Sequence, residues 1–363
     1  MGKHHLESEA LRLINSDSDS PFSGYSIFNL SKTKVMKRLF IGIDISKDVF
    51  DYCILNSENE IIEKGQMANS RKEILEFCKK IKSLKEYEPW ICMEHTGHYG
   101  YLLSCIFTEQ NLCYSLLDPL NLKRSFGVVR GKTDAIDAYR IASYALSNKH
   151  KLVAYKLPSE ELRKLKVLMT SRSRYSKISV QLQNGIKANK VANKSMNLED
   201  EIQDDQETLA IFKVKIKSIE KKMLAIIKST KELKTNYDKI TSVVGIGPII
   251  ALYCIIETQN FVKFYDPRKF GCHCGLAPFA YSSGSSVRGK TRTSNLCNKY
   301  LKGILYKGAW SAIQHDPQLK RYFNRKIEEG KHKFSVANAV AFKIVLRIFA
   351  VVKRDEPYVK LAA

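Results

Sequence analysis

The chain has 363 residues, 44% of them hydrophobic, and its 60 Lys and Arg against 37 Asp and Glu give a formal net charge of +23 at pH 7. This length allows two or three domains with real cores, and so large a positive excess predicts a polyanionic partner, of which nucleic acid is the commonest. No uninterrupted apolar run of membrane-spanning length and no secretory signal occur, so we expect a cytoplasmic protein without a membrane partner.

Residues 1–36 are largely polar, with many Ser and Asp, and predict a weakly ordered extension. The α/β pattern then begins with Arg38–Ser46, an apolar, β-branched run that contains Asp44 and predicts a buried central strand. Val49–Leu55 and Ile61–Met67 predict two more strands, joined by polar hairpin turns. Helices and strands alternate from there to about residue 148. This order is typical of a ribonuclease-H-like domain, which we place at residues 37–150.

Residues 151–237 form the second region, which has almost no Gly or Pro over Leu157–Tyr237 and shows heptad-like apolar spacing over Ile211–Leu233. The pattern predicts an antiparallel helical pair or coiled-coil arm. Such an arm would join copies of the chain and lie along nucleic acid. A helical linker packed on its own domain is the alternative, but the length and basic character of the segment favour the arm.

The third region covers residues 238–355, is mostly helical, and is followed by a tail at 356–363. Gly245 and Gly247 lie in a turn that resembles a helix-hairpin-helix, in which backbone N–H groups bind a phosphate; a plain Gly-rich connection fits the same residues. A Gly/Ser-rich loop follows at Tyr281–Lys290. Three cations in or beside this loop are candidate nucleic-acid ligands: Arg288, Lys290 and Arg292.

Four carboxylates lie at positions where the predicted elements would bring them together. Asp44 and Glu94 are near the ends of two strands, and Asp134 and Asp137 are three residues apart on one helix face. Converging carboxylates repel one another unless cations intervene, and carboxylates suit hard ions, so we expect Mg²⁺ or Mn²⁺. Two such ions stabilise the attacking and leaving oxygens of a phosphodiester displacement. Taken singly, each carboxylate also fits a solvated or capping role, and Asp44 fits an actin-like phosphate loop.

The serine-rich loop supplies hydroxyl groups beside cations. A serine hydroxyl attacks a phosphodiester when a base takes its proton and cations stabilise the charge that develops on phosphorus. The loop contains no evident base, so the acidic site of the first domain is its natural complement. A linker loop is the alternative interpretation.

Four motifs in this order resemble the DEDD-type insertion-sequence transposases, the Piv-like, bridge-RNA-guided serine recombinases. They are Gly-Ile-Asp-Ile-Ser-Lys, Met-Glu-His-Thr-Gly, Lys-Thr-Asp-Ala-Ile-Asp-Ala and Ser-Ser-Gly-Ser-Ser-Val-Arg-Gly. The resemblance covers roughly residues 37–353. It implies a RuvC-like N-terminal domain that binds Mg²⁺ through the four carboxylates, a coiled-coil arm, and a C-terminal transposase domain with a catalytic serine. By motif position that serine is Ser283, with Ser282, Ser285 and Ser286 as neighbours.

The resemblance also implies how the enzyme works. It implies double-stranded donor and target DNA, a structured guide RNA, covalent phosphoserine and Holliday-junction intermediates, and homodimers that assemble into a tetramer with composite active sites. The location would be the bacterial cytosol, near the nucleoid. Two other functions compete: a RuvC-like Holliday-junction nuclease without serine chemistry, and a non-catalytic nucleic-acid-binding scaffold. An actin-like ATPase would need a second phosphate loop in a duplicated half, and the sequence contains none.

Overall fold

The computed structural model describes residues 37–95, 97–126, 134–283 and 287–359, so the expected N-terminal extension lies outside the described residues. The chain divides into two compact units, with unit 1 ending at Leu157 and unit 2 beginning at Pro158. Unit 1 combines strands with helices, and unit 2 is mostly helical. This confirms the predicted combination of an α/β region followed by a helical one.

The described part of unit 1 contains five strands and four α-helices. The strands are β1 (Lys37–Ile45), β2 (Val49–Leu55), β3 (Ile61–Ala68), β4 (Tyr87–Glu94) and β5 (Tyr114–Leu117). The helices are α1 (Arg71–Ser83), α2 (Tyr101–Glu109), α3 (Pro119–Ser125) and α4 (Asp134–Ser147), followed by a single helical turn at Lys149–Lys151.

The five strands form one sheet in the order β3-β2-β1-β4-β5. β1 pairs antiparallel with β2 and parallel with β4, so the apolar first strand lies at the centre. β4 pairs parallel with β5 at the other edge. The central run of β1 is fully buried because helices cover the sheet, which is why a near-continuous apolar sequence is stable there.

Helix α4 packs on β1 and β2 at unusually short range. A Cβ atom on Gly42 of β1 would lie 2.1 Å from the Ala138 carbonyl oxygen and 2.3 Å from the Ala142 backbone nitrogen of α4. Ala138 and Ala142 are themselves buried, against Cys53 and Leu55 of β2. Small residues on both surfaces therefore let the helix backbone approach the central strand, since glycine in a strand permits close backbone contact.

The described part of unit 2 contains eight helices and one two-stranded sheet. The helices are α5 (Glu160–Ala192), α6 (Glu199–Ser229), α7 (Lys231–Ser242), α8 (Pro248–Thr258), α9 (Pro267–His273), α10 (Lys299–His315), α11 (Pro317–Glu328) and α12 (Lys333–Arg354). The strands are β6 (Pro278–Ser283) and β7 (Val287–Thr293), paired antiparallel.

Helices α5 and α6, of 33 and 31 residues, form the helical hairpin that we call the arm. Ser159 caps α5 by accepting a hydrogen bond from the Leu162 backbone N–H. At the base of the arm, apolar residues such as Met169 and Met223 join the same hydrophobic core as α7–α12. A separate small cluster stabilises the far end, around Ile186 and Leu209.

Helix α12 is the one described helix that is long and apolar enough to span a membrane, by length and composition alone. Half of its apolar window is buried, and residues such as Val340, Ile344 and Ile348 lie in the core of unit 2. Lys343 and Arg347 interrupt the run. The helix therefore fits its place as the central core helix of unit 2.

Candidate functional site: a carboxylate cluster and a serine hairpin

Asp44 and Glu94 lie beside each other on neighbouring strands. Asp44 is the penultimate residue of β1 and Glu94 is the last residue of β4. The parallel register pairs Ile43 with Met93, which places the next residue of each strand at the same end of the sheet. Both residues are half-buried. The register therefore agrees with the prediction that these two carboxylates lie side by side at the same end of the sheet.

Helix α4 brings the other two carboxylates. Asp134 begins α4 and is exposed, and Asp137 lies one turn further on and is half-buried. Asp137 Oδ1 accepts a hydrogen bond of 2.7 Å from Nη1 of Arg140, whose side chain is also largely buried. The close contact at Gly42 sets the position of α4 on β1, so it also sets how near these residues come to Asp44.

The pKa of Asp44 reflects the nearness of the other three carboxylates. Burial of its carboxyl, followed by the charges of Asp137, Asp134 and Glu94, raises the pKa from 3.8 to about 6, against a backbone hydrogen bond from Ile45 that lowers it. All three partner carboxylates therefore act on Asp44 at electrostatic range. Arg140 adds a positive charge in direct contact with Asp137.

The chemistry of this donor set fits a hard cation. Carboxylate oxygens are the ligands that Mg²⁺ and Mn²⁺ prefer, and a cation would relieve the repulsion that raises the Asp44 pKa. Across the described ranges, however, no three His, Cys, Asp or Glu side chains lie close enough together to enclose an ion. Small movements of the side chains, including release of Asp137 from Arg140, would be needed to close the cluster around one.

Sequence reasoning missed two features of this site. Asp51 of β2, with only 7% of its surface exposed, is the register partner of Asp44 and accepts a 3.1 Å hydrogen bond from Gln66 Nε2. Its signal was a carboxylate in an otherwise apolar strand. The second missed feature is Gly42, which the sequence signalled as a glycine within a buried strand.

The serine-rich segment is a β-hairpin where the sequence predicted only a loop. β6 and β7 pair in register from Pro278–Thr293 to Ser283–Val287, with an irregularity between Phe279 and Tyr281. The loop prediction failed because cation and serine content conceals the alternation of Val and Thr in β7.

The side chains of Ser283, Arg288 and Lys290 lie outside what the structure describes, as do residues 284–286 with Ser285 and Ser286. Arg292 is exposed, at the end of β7 away from the turn. The candidate serine and its cations thus belong to unit 2, and the four carboxylates belong to unit 1.

The predicted Gly-rich turn connects α7 to α8. Gly245 has a φ of +89°, and a Cβ there would lie 2.3 Å from the Gly308 carbonyl oxygen of α10. Gly247 precedes α8 in extended conformation, and a Cβ there would meet nothing within 4 Å. Gly245 therefore has a packing role, whereas the backbone at Gly247 and the start of α8 has space around it.

Two family profiles match the chain. One, for a DEDD transposase domain of the IS110 type, described as "Transposase", matches residues 41–189. The other, described as "Transposase IS116/IS110/IS902 family", matches residues 237–324. The first match includes all four candidate carboxylates, and the second includes the serine hairpin and the turn at Gly245.

Several similar proteins match this chain over most of its length. The pilin gene-inverting proteins of Moraxella lacunata and Moraxella bovis are each 22% identical over 332 residues, covering 90% of this chain and 99% of theirs. The putative transposase y4pF/y4sB of Sinorhizobium fredii is 26% identical over 314 residues, covering 79% of this chain and 76% of its own. With both IS110-family transposase domains present in order, the chain is a transposase, an enzyme of DNA recombination.

Proposed function

We propose that this transposase cuts and exchanges strands of donor and target DNA with a serine nucleophile and a magnesium-binding carboxylate site. The observation that carries the proposal is that the charges of Asp137, Asp134 and Glu94 contribute to the raised pKa of Asp44. Negative charge is therefore concentrated at one end of the sheet. The strand order and directions of unit 1 support a RuvC-like, ribonuclease-H-like fold for it.

The carboxylates Asp44, Glu94, Asp134 and Asp137 would hold Mg²⁺ or Mn²⁺. When bound, such an ion supplies Lewis-acid stabilisation of phosphate oxygens during displacement. The fold positions these ligands: β1 and β4 fix Asp44 and Glu94, and the Gly42 contact fixes α4, which carries Asp134 and Asp137.

Ser283 is the proposed nucleophile. Its hydroxyl oxygen forms a bond to the phosphorus of a DNA phosphodiester, and a carboxylate or water takes the hydroxyl proton. The bond from phosphorus to one deoxyribose oxygen breaks, and that oxygen leaves with a proton as a free hydroxyl. The product is a phosphoserine ester. Attack by the hydroxyl of another strand reverses the bonding, regenerates Ser283 and joins the new pair of strands at a Holliday junction.

Arg288, Lys290 and Arg292 would stabilise phosphate charge beside the serine. The backbone N–H of Gly247 and those of α8 that follow Pro248, which has none, would contact a DNA phosphate, which the open space around Gly247 supports. The net charge of +23 favours nucleic-acid partners in general. We extend this to a structured guide RNA on the basis of the motif resemblance, and to the cytosol near the nucleoid as location.

The arm is the proposed contact between copies of the chain, which would form dimers and then a tetramer. The apolar heptad residues of α6, such as Ile219 and Met223, are buried within the chain. Other apolar residues of the arm remain exposed, among them Val180 at 55%, Ile211 at 56% and Val214 at 67%. These exposed residues support a second surface suited to another arm.

The decisive experiment looks for a covalent protein–DNA adduct. Purified protein is mixed with donor DNA, target DNA, RNA transcribed from the sequence flanking the gene, and Mg²⁺, and is then denatured. We expect an adduct with the unmodified protein and with Ser282→Ala, and none with Ser283→Ala. Tryptic mapping of the adduct then identifies the modified serine.

Three results would redirect the proposal. An adduct lost in Ser282→Ala and kept in Ser283→Ala moves the nucleophile by one residue. Metal-dependent cleavage without any adduct supports a junction nuclease. Binding without cleavage, at any Mg²⁺ concentration, supports a non-catalytic scaffold.

A separate variant tests the carboxylates. Asp134→Asn is nearly isosteric and lies at an exposed position, so folding and RNA binding should be unchanged while DNA cleavage is lost. Lys149→Gln, an exposed change just beyond α4, serves as the control. Normal cleavage by Asp134→Asn would remove this residue from the metal site.

A further inference from the structure

A cleft of about 1120 Å³ opens in unit 2 beside the base of the serine hairpin. Pro278 of β6 and Thr291 and Thr293 of β7 form one wall. Helices α10, α11 and α12 form the others. The cleft therefore lies along the same two strands as the candidate serine, about five residues from it, which corresponds to ~16 Å of strand.

The cleft is lined by four lysines, Lys299, Lys302, Lys307 and Lys343. No Asp or Glu appears among the described residues that line it. Lys302 Nζ donates a 3.2 Å hydrogen bond to Thr293 Oγ1, which orients it against the hairpin. Lys307 is exposed. An uncompensated set of ammonium groups around a concave surface attracts an anionic ligand.

Aromatic rings lie between these lysines. Phe334 is 52% exposed at the cleft, an unusual position for a phenyl ring, and Tyr306 donates a 2.8 Å hydrogen bond to the Phe334 carbonyl oxygen. Tyr322 has Lys343 Nζ 4.5 Å from its ring centroid. Alternating rings and cations are the usual features of sites that stack unpaired bases and bind their backbone.

A second cavity, of about 520 Å³, adjoins the cleft and shares Tyr322, Lys343 and Leu346 with it. Arg321 and Arg325 also line it, together with Arg347, which is paired with Asp316 at 2.7 Å. The cationic surface thus continues past Tyr322. Together the two cavities are larger than a single phosphate would need, and their basic lining suits a polynucleotide backbone.

We propose that this cleft binds unpaired DNA, namely the nucleotides of the cut strand a few positions from the scissile phosphate. The inference rests on the proposed function, because strand exchange requires separated strands and the cleft continues from the hairpin that carries Ser283. Bases would stack on Phe334 and Tyr306, and the four lysines would contact the phosphates. A duplex would reach only the rim of such a concavity, since its bases are already stacked on one another.

Gly303 allows a direct test, because it lines the cleft and a Cβ at this position would have nothing within 4 Å. Gly303→Glu therefore introduces a carboxylate without a steric clash. Gly303→Gln adds the same volume without charge, and Gly303→Ala is the reference for loss of glycine from α10. Binding of fluorescein-labelled dT12 to the full-length protein is measured by anisotropy, with a 12-base-pair duplex and rU12 in parallel.

We expect Gly303→Glu to bind dT12 at least tenfold more weakly than Gly303→Ala, with Gly303→Gln between them and duplex affinity changed less than twofold. Phe334→Ala should weaken dT12 binding about tenfold through loss of stacking. A 12-mer containing 5-bromodeoxyuridine should crosslink on irradiation to peptides of α10 and α12. Equal dT12 affinity for Gly303→Glu and Gly303→Ala, crosslinks confined to other elements, or binding of rU12 without dT12 would each overturn the proposal.

The two proposals fail separately. An adduct that survives alanine substitution of Ser283 and of its neighbours Ser282, Ser285 and Ser286 removes the serine mechanism but leaves dT12 binding and its sensitivity to Gly303→Glu in place. A serine-dependent adduct combined with unchanged dT12 binding by Gly303→Glu removes the cleft alone. If both proposals hold, the Gly303→Glu enzyme should form less adduct at limiting DNA, and the amount of adduct should recover at higher DNA concentration.

Discussion

The acidic cluster of unit 1 and the basic cleft of unit 2 concentrate charge of opposite sign. In unit 1, burial and then the charges of Asp137, Asp134 and Glu94 raise the pKa of Asp44 to about 6, although Asp137 is itself paired with Arg140. In unit 2, the described lining of the cleft has four lysines and no carboxylate. By contrast, Arg172 and Glu220 form a simple pair at 2.7 Å. Like charges gathered at two particular places are typical of ligand sites, one suited to a cation and the other to a polyanion.

Substitution of Gly42 should have the largest effect. In Gly42→Val, the new side chain overlaps the α4 backbone at Ala138, so α4 must move away from β1 and carry Asp134 and Asp137 with it. We expect unit 1 to lose about 3 kcal/mol or more of stability and the enzyme to lose DNA cleavage. The two tryptophans report on the units separately, since Trp90 lies in β4 and Trp310 in α10.

The readout for Gly42→Val is urea unfolding followed by tryptophan fluorescence in a Trp310→Phe background. The transition of unit 2, followed through Trp310 in a Trp90→Phe background, should stay unchanged. Gly303→Ala is the control, because a glycine with space around it should tolerate a methyl group. An unaltered Trp90 transition in Gly42→Val would show that α4 is not tightly packed on β1.

Glu257 of unit 2 is a compensated carboxylate, in contrast to Asp44. Burial alone would raise its pKa, but a hydrogen bond with His273 and the nearby Lys166 charge lower it to about 2. A carboxyl whose folded-state pKa is depressed stabilises the fold above its unfolded pKa near 4.5, and this contribution is lost as the pH falls toward 2. Glu257→Gln should therefore reduce the stability of unit 2 by about 2–3 kcal/mol at pH 7. The difference from the unmodified protein should shrink steadily between pH 4.5 and pH 2.5.

Asp44 should behave in the opposite way. Its folded-state pKa is raised, so the ionised form destabilises the fold, and stability contributed by the neutral carboxyl is lost as the pH rises from about 4 to 6. Asp44→Asn should stabilise the metal-free protein by on the order of 1–2 kcal/mol at pH 7.5, after allowance for solvent screening. The same variant should not cleave DNA. Thermal unfolding in EDTA at pH 5 and pH 7.5 tests this, with a gain expected mainly at the higher pH.

The exposed residues of the arm should show the smallest effect on stability. Ile211→Ser with Val214→Ser removes apolar surface that the chain itself leaves in water, so unfolding should change by less than about 0.5 kcal/mol. Sedimentation velocity should nevertheless show loss of the dimer. Met223→Ser is the contrast, because its buried side chain should destabilise the hairpin itself. A dimer that persists in the double variant places the interface elsewhere.

Local patterns predicted much of unit 1, and strand β2 has the predicted bounds. The heptad spacing of residues 211–233 indicated the helical pair, since apolar periodicity directly reflects which face is buried. The order of elements led to the prediction that four carboxylates share one site, and the register of β1 and β4 places Asp44 and Glu94 at the same end of the sheet.

Features that depend on contacts distant in sequence could not be predicted. The close contact of Gly42 with α4 and the contact of Gly245 with Gly308 arise only when elements distant in sequence pack together. The sequence also separated the arm from the C-terminal region at residue 237, whereas apolar residues of α5 and α6 share one core with α7–α12. Core membership depends on which surfaces meet, and local periodicity carries no information about that.

The arm also has a definite length. Its 33-residue helix α5 extends about 50 Å at 1.5 Å per residue, or roughly one and a half turns of B-form DNA. An arm of that size lying along DNA would fix the spacing between its two ends, so contacts made at its tip would have a set phase on the double helix relative to contacts made at its base. Inserting one heptad in each of α5 and α6 would shift that phase by about a third of a turn, without touching the residues that carry the chemistry.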